Sequence, residues 1–265
     1  AKRERAESRR SRGIMSSAEA LRWFACDLHL HTVLSPCAEV EMIPPFIVRR
    51  ALELGLDLIA VTDHNATHNI EVVQRAAAGV PLTVWPGMEV QTREEVHLLC
   101  LFDDNAAAFV WQQRVDGALP PLLNDAEHFG GQFVVDESGE FIREHTPLLL
   151  TSTAFSVEEV VTQVNALGGL AIPCHVDRPS FSLLANLGFV PPQLPVLALE
   201  ISARLTPAQA RAQFPSLAAW PLLQDGDAHR LSEMIARTRL RMAAPTIHEL
   251  RLALRSQDER AISIS

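Results

Sequence analysis

The chain has 265 residues, 48% of them hydrophobic, and a formal net charge of -9 at pH 7. That length and balance suit one large globular domain or two small ones and exclude a disordered composition class. The acid surplus argues against a broad nucleic-acid groove held by many phosphate contacts, while leaving room for a small phosphate-bearing substrate or a short oligonucleotide. Residues 1–14 run the other way, with Lys2, Arg3, Arg5, Arg9, Arg10 and Arg12 against Glu4 and Glu7. Residues 1–22 are therefore expected to be a basic, unstructured leader, the alternative being a nucleic-acid arm.

No apolar run approaches the length of a membrane span, so the sequence reads as that of a cytoplasmic protein with no membrane partner. Cys26, Cys37, Cys100 and Cys174 are scattered without CxxC pairing, which disfavours a disulfide framework or a four-cysteine zinc knot and predicts mostly buried thiols. Oligomeric state is not encoded in any of these features.

In chain order, Phe24–Leu28 is an apolar run that opens into Asp27-Leu28-His29-Leu30-His31. Two histidines at i and i+2 on an extended segment point the same way and can share a cation, with Asp27 expected to orient a ring; a surface histidine pair is the alternative. Pro44–Leu54 has a helical apolar face, prolines at its start and Gly55 at its end. Leu56–Val61 reads as a buried strand that stops at Thr62-Asp63-His64-Asn65, and Asn69–Ala78 as a helix. Leu82–Trp85 makes a third strand leaving through Pro86-Gly87 toward Glu89. The short spacer after Glu89 predicts that Val96–Phe102 returns as a hairpin, bringing His97 back to Glu89.

Residues 103–155 read as an inserted lid-like α+β elaboration, with a helix around Ala106–Leu119 and a hairpin of Gln132–Val135 and Glu140–Ile142. Ser156 and Glu159 form a capping box for the next helix, which precedes strand Leu170–Ile172 and His175. Val196–Ile201 is a further strand, Thr206-Pro207 starts a helix, Leu222–Gln224 runs into Asp227 and His229, and Thr246 with Glu249 caps the last helix. About seven strands, most followed by helices, predict one parallel β/α barrel domain over residues 23–262.

In such barrels the functional groups come from strand ends at one mouth. That rule collects His29, His31, Asp63, His64, Glu89, His97, His175, Asp227 and His229. So many buried polar groups need compensating cations or a dense hydrogen-bond network. A mixed imidazole and carboxylate shell suits zinc, iron or manganese, and a carboxylate such as Glu89 can bridge two ions about 3.5–4 Å apart.

The blocks DLHLHT at 27–32, VTDHN at 61–65, PGMEV at 86–90, EVHLLCLF at 95–102, IPCHVDR at 172–178 and DGDAH at 225–229 resemble, in order, those of the PHP (polymerase and histidinol phosphatase) metal-dependent phosphoesterases. The resemblance implies a distorted (β/α)7 TIM-like barrel and two or three divalent ions. It implies a first metal at His29, His31, Glu89 and Asp227, and a second at Glu89, His97 and His175. A third would use His64 and His229. Cys37 stands where three-metal members carry a histidine, so it is either a thiolate ligand or a buried structural thiol, and Ser35-Pro36-Cys37 resembles an SPC-containing subgroup of the family.

The expected chemistry is phosphate-ester hydrolysis by a metal-bridged hydroxide. Arg178 is a candidate for a bidentate hold on phosphate, with a surface salt bridge as its alternative, and Arg204 is a weaker candidate of the same kind. Asp63 and His229 are expected to orient ligands or shuttle a proton. Three function classes remain open at this stage: a phosphatase acting on a phosphorylated small molecule or nucleotide, an exonuclease on oligonucleotide ends, and a metal-binding regulatory module without turnover.

Overall fold

The computed structural model describes residues 20–265. The basic stretch up to residue 19 lies outside the described residues, and Arg22 already belongs to the first strand. The first half of the chain contributes β1 (Arg22–Leu30), α1 (Pro44–Glu53), β2 (Leu58–Val61), α2 (Ile70–Ala76), β3 (Thr83–Gln91), β4 (His97–Leu101) and α3 (Asn105–Ala118). The inserted part adds α4 (Ala126–Phe129), β5 (Phe133–Val135) and β6 (Phe141–Glu144). Then follow α5 (Val157–Ala166), β7 (Leu170–Pro173), α6 (Leu183–Leu187), β8 (Leu199–Glu200), α7 (Pro207–Gln213), β9 (Leu222–Leu223), β10 (Thr238–Met242), α8 (Ile247–Leu254) and β11 (Ala261–Ile264).

The main sheet runs β11-β10-β1-β2-β3-β4-β7, and β8 pairs with β9. The two sheets meet at the mouth. Val176 N donates to Glu200 O at 2.9 Å, and Ile201 N to Leu223 O at 2.9 Å. His31 N donates to Ala228 O at 3.0 Å, returning the ring to β1. The result is a distorted TIM-like barrel with β1, β2, β3, β4, β7, β8 and β9 as staves. It is not wholly parallel: β4 is antiparallel to both neighbours, as the short spacer before it requires, and β10 runs antiparallel to β1. Strands β10 and β11 were not foreseen. The expected strand at Val196–Ile201 is only the pair Leu199–Glu200.

Two irregularities aim the site. Phe24, Cys26 and Leu28 face the inner core with Leu58, Leu99 and Ile172, whereas Ala25 and Leu30 face the outer layer with Ile47 and Val48 of α1. Simple alternation would continue this phase and turn His29 and His31 outward. A register shift between Asp27 and Leu30 against β2 resets the phase, so the histidines enter the mouth. The second irregularity corrects the expected exit at Pro86-Gly87. Strand β3 runs straight through, pairing with β2 as far as Pro86 and with β4 from Gly87 onward. A Cβ at Gly87 would lie 2.8 Å from Thr62 Cγ2 and 3.1 Å from Val61 O, so glycine lets both neighbours close on the changeover.

Of residues 103–155, α3 packs Trp111 and Val115 against Val160 and Val164 of α5 in the outer core. The following segment lies over the mouth. Asn65 Nδ2 donates to Leu149 O at 2.8 Å and Thr151 O at 2.9 Å, and Asn69 Nδ2 to Phe133 O at 3.0 Å. No helix among the described residues is long and apolar enough to cross a membrane.

Candidate metal centre

Glu89 is the hub. Its Oε1 lies 2.8 Å from His97 Nδ1, 3.2 Å from His175 Nε2 and 3.3 Å from His29 Nε2. Its Oε2 lies 2.9 Å from His64 Nδ1 and 3.3 Å from His31 Nε2. Asp227 Oδ1 stands 3.2 Å from His29 Nε2 and 3.3 Å from His31 Nε2. His229 stacks on His31 with ring centroids 4.0 Å apart, and its Nδ1 donates to the Asp227 carbonyl at 2.9 Å. The backbone at His175 and Asp227 has φ of 29° and 46°, a left-handed conformation unusual for such residues and typical of functional sites.

Hydrogen bonds fix which nitrogen of each ring faces inward. His29 Nδ1 donates to both oxygens of buried Glu200 at 3.0 and 3.1 Å, leaving the Nε2 lone pair toward Glu89 and Asp227. Ser35 does the same for His31. Its hydroxyl donates to Asp63 Oδ1 at 2.7 Å and accepts from His64 N at 3.1 Å, so its contact with His31 Nδ1 at 2.9 Å is also one it accepts. A donor fixed on one ring nitrogen and a bare nitrogen on the other is the arrangement of a metal-ligating histidine.

The donor set fits cations. His29 Nε2, His31 Nε2, Glu89 Oε2 and Asp227 Oδ1 are buried without a hydrogen-bond partner among the described residues. Together these four residues offer ligand atoms that lie within 4.8 Å of one another, the set expected for the first metal. His31, His64 and His229 form a second such group. The remaining expected pair divides: His97 groups with Glu89 and His64, and His175 with Glu89 and Cys174.

The electrostatics carry the same demand. Burial pushes the Glu89 carboxyl up, but His97, His29 and His64 outweigh it and hold the group well below the usual carboxylate range. Burial depresses His31, yet the Asp227 and Glu89 carboxylates beside it lift it to about 9. His64 is lifted to about 9 against burial, chiefly by Glu89. His229, half-buried and next to cationic His31, falls to about 3. The carboxylates thus call for positive charge, supplied by protons when no ion is present.

Other expected residues fall elsewhere. Asp63 is fully buried and does not reach the cavity; it accepts from Thr32 N at 2.7 Å, Thr32 Oγ1 at 2.8 Å and Ser35 Oγ. That geometry orients His31 through Ser35. Asp27 does not orient a histidine ring; it accepts from Gly226 N at 2.8 Å and Ile235 N at 2.9 Å. The residue that performs the role expected of Asp27 is Glu200, whose place at a strand exit, shared with every other acid of the site, was its only sequence signal. Arg178 sits at the cavity with its Nη1 2.5 Å from Asp227 Oδ2, so it is not a surface salt bridge. Arg204 is exposed and does not line that cavity, because its loop turns away after Ser202. Cys37 is exposed at the rim beside His64, not a buried structural thiol, whereas Cys26, Cys100 and Cys174 are buried. Over these groups opens a cavity of about 660 Å³, lined on its other side by Leu150, Thr151 and Ser152.

Residues 27–111 match the PHP domain family. The 5'-3' exoribonuclease Rnm of Salmonella typhimurium (strain LT2) is 33% identical over 85 residues, which are 30% of this chain and 28% of that protein. Its Escherichia coli (strain K12) counterpart is 32% identical over 80 residues, 28% of this chain and 26% of the relative. The alignment therefore spans little more than a quarter of either relative. Among solved structures, the lesion-specific endonuclease Q of Pyrococcus furiosus superposes with a TM-score of 0.67 at 19% identity, covering 91% of this chain and 58% of its own. An amidohydrolase from Chromobacterium violaceum gives 0.55 at 19% identity, covering 80% of this chain and 90% of its own. Those likenesses show the fold. The match to the PHP domain family covers residues 27–111, about a third of the chain.

Proposed function

We propose that the chain is a metal-dependent phosphoric ester hydrolase acting on the phosphate of a nucleotide or similar small molecule. The observation that carries the reading is the set of four buried, partnerless ligand atoms on His29, His31, Glu89 and Asp227 at the floor of an open cavity. His29, His31, Glu89 and Asp227 would hold one ion, Glu89 with His97 and His175 a second, and His64 with His229, with Cys37 adjoining, a third. Zinc, manganese or iron bound there would supply an acidified water and a positive field for the phosphoryl oxygens.

The chain's own groups do the rest. Glu200 and Ser35 hold the rings of His29 and His31 in the tautomer that presents Nε2. Arg178 is the one arginine among the described residues that lines the cavity; its guanidinium, anchored through Nη1 on Asp227, presents its remaining donors to phosphate oxygens. His229, neutral and fixed by its bond to the Asp227 carbonyl, would take or return a proton at its Nε2 only when no third ion is held there. Leu150–Ser152 narrow the opening and limit water around the bound ester.

A second reading, cleavage of an oligonucleotide from its end, uses the same groups and is supported by the likeness to the 5'-3' exoribonuclease Rnm relatives. The test is one assay with protein loaded in turn with manganese, zinc and iron. Phosphate release from AMP is expected. Mononucleotide release from a short RNA would establish the second reading, and no release from any substrate with any metal would refute both.

A further inference from the structure

Arg178 and Phe181 belong to one short loop, and its phenyl ring does something a core residue would not. Phe181 is 43% exposed although it lines the cavity beside the metal-ligand cluster. One face stacks on His97, ring centroids 5.0 Å apart and planes 26° from parallel, and no other aromatic ring packs on it among the described residues.

The loop is built to hold the ring there. Phe181 has φ of 53°, a conformation that a bulky residue rarely adopts and that persists only where the surroundings impose it. Its carbonyl accepts from His97 N at 3.1 Å, tying it to the first residue of β4. Ser182 Oγ donates to Arg178 O at 2.7 Å and accepts from Ala185 N at 3.2 Å, closing the loop onto α6. Asn186 of that helix donates to the carbonyls of Glu94 and Glu95 at 2.8 and 3.1 Å. Folding gains nothing from straining a backbone to leave a phenyl ring half in water, so the ring is kept for a ligand.

The rest of the cavity states what kind. Gln91 accepts from His97 Nε2 at 3.2 Å and donates to Ser152 Oγ at 2.8 Å, setting an amide and a hydroxyl on the wall. Glu95 and Thr151 add further hydrogen-bonding groups, and Leu150 an apolar one. A flat aromatic face with polar groups around it suits a planar ring with hydrogen-bonding edges, and its neighbour Arg178 suits the phosphate of the same molecule. We propose that Phe181 is a stacking platform for the nucleobase of the substrate, making the ester a nucleotide or a nucleotide end in preference to a sugar phosphate. The inference rests on the phosphoesterase reading only for where the phosphate sits.

Binding separates the two. AMP, ribose 5-phosphate and phenyl phosphate are titrated calorimetrically into the manganese-loaded wild-type protein and into Phe181→Ala and Phe181→Trp at low temperature, where turnover is slow and phosphate release is followed in parallel. Base stacking on an aromatic side chain predicts an AMP preference over ribose 5-phosphate of about fivefold to a hundredfold. In Phe181→Ala that ratio collapses toward one, and in Phe181→Trp it is kept or raised. Overturning results are an AMP affinity no better than that of ribose 5-phosphate or phenyl phosphate, or a ratio untouched in Phe181→Ala. An equal loss for all three ligands would also overturn it, by reducing Phe181 to a support for His97. AMP binding with the expected ratio but no phosphate release from any substrate would sink the hydrolase reading and leave the base site standing.

Discussion

Replacing Glu200 by glutamine separates metal binding from folding. The wild-type carboxylate accepts from His29 Nδ1 through both oxygens and from His175 N at 3.2 Å, all at full burial. Glutamine keeps the volume and one acceptor, but turns an amide donor toward either His29 Nδ1 or His175 N. Losing a carboxylate partner of a ligating histidine typically weakens metal binding about 10- to 100-fold. At a free metal concentration of about 100 times the wild-type Kd, ligand linkage stabilises the native protein by about 2.7 kcal/mol. The same concentration would stabilise the variant by only about 1.4 to 0.4 kcal/mol. Apo stability should move less, because burial and, after it, the Glu200 charge raise the Asp225 carboxyl, and removing that charge eases part of the cost. Chemical denaturation with and without metal, alongside chelator competition, reads both quantities. An unchanged metal affinity in a folded variant would refute the assignment of Glu200 as the residue that sets His29.

Ser35→Ala strands His31 Nδ1 and His64 N at full burial, so urea denaturation should show a loss of about 1–3 kcal/mol, and a loss under 0.5 kcal/mol would deny the serine its role. Arg178→Ala should raise KM for phosphate esters about tenfold or more in steady-state assays; unchanged kinetics would remove Arg178 from the site. The metal-free protein should lose stability between about pH 6.5 and 9. His31 and His64 are raised to about 9 in the folded state, so their stabilisation is complete below the unfolded value near 6.5 and disappears as pH rises through 9. Thermal melts in chelator across that window check it, and a flat or rising Tm would contradict it. Cys37→Ser should leave the number of bound ions unchanged, since the thiol lies outside the group formed by His31, His64 and His229; a lost ion on metal analysis would make Cys37 a ligand.

Much of the site could be read from the sequence because acids and histidines cluster near the ends of most strands, and the barrel rule gathers those ends without further geometry. His29, His31, Glu89 and Asp227 converge as expected for that reason. What escaped depends on phase and on partners distant in sequence. The resetting of β1 between Asp27 and Leu30 leaves no mark on the hydrophobic pattern, and simple alternation gave the right answer for His29 and His31 only because it was counted from the histidines themselves. Asp27, adjacent to the pair, was the natural partner for a ring, yet Glu200, 171 residues away from His29, takes the bond. Ser35 was seen only as part of a motif, because a hydroxyl joining three groups is a property of a tertiary contact. Strand β10 alternates buried Thr238, Leu240 and Met242 with Arg239 and Arg241 on its outer side, and it lies between β11 and β1. It was missed because it lies beyond the last ligand-bearing segment.

The clamp by which Asp27 accepts from Gly226 and Ile235 spans 199 and 208 residues. Contacts of such separation close only after the intervening chain is in place, since their loop-closure entropy must be met before they contribute. The ligand cluster straddles this seam: His29 and His31 stand on one side and Asp227 on the other. Ions held there would therefore not template early folding; they would be loaded into a finished barrel. Their contribution falls on unfolding, where opening the seam between β1 and the Asp227 loop must first release them, so metal should lengthen the lifetime of the native state while leaving the refolding rate unchanged.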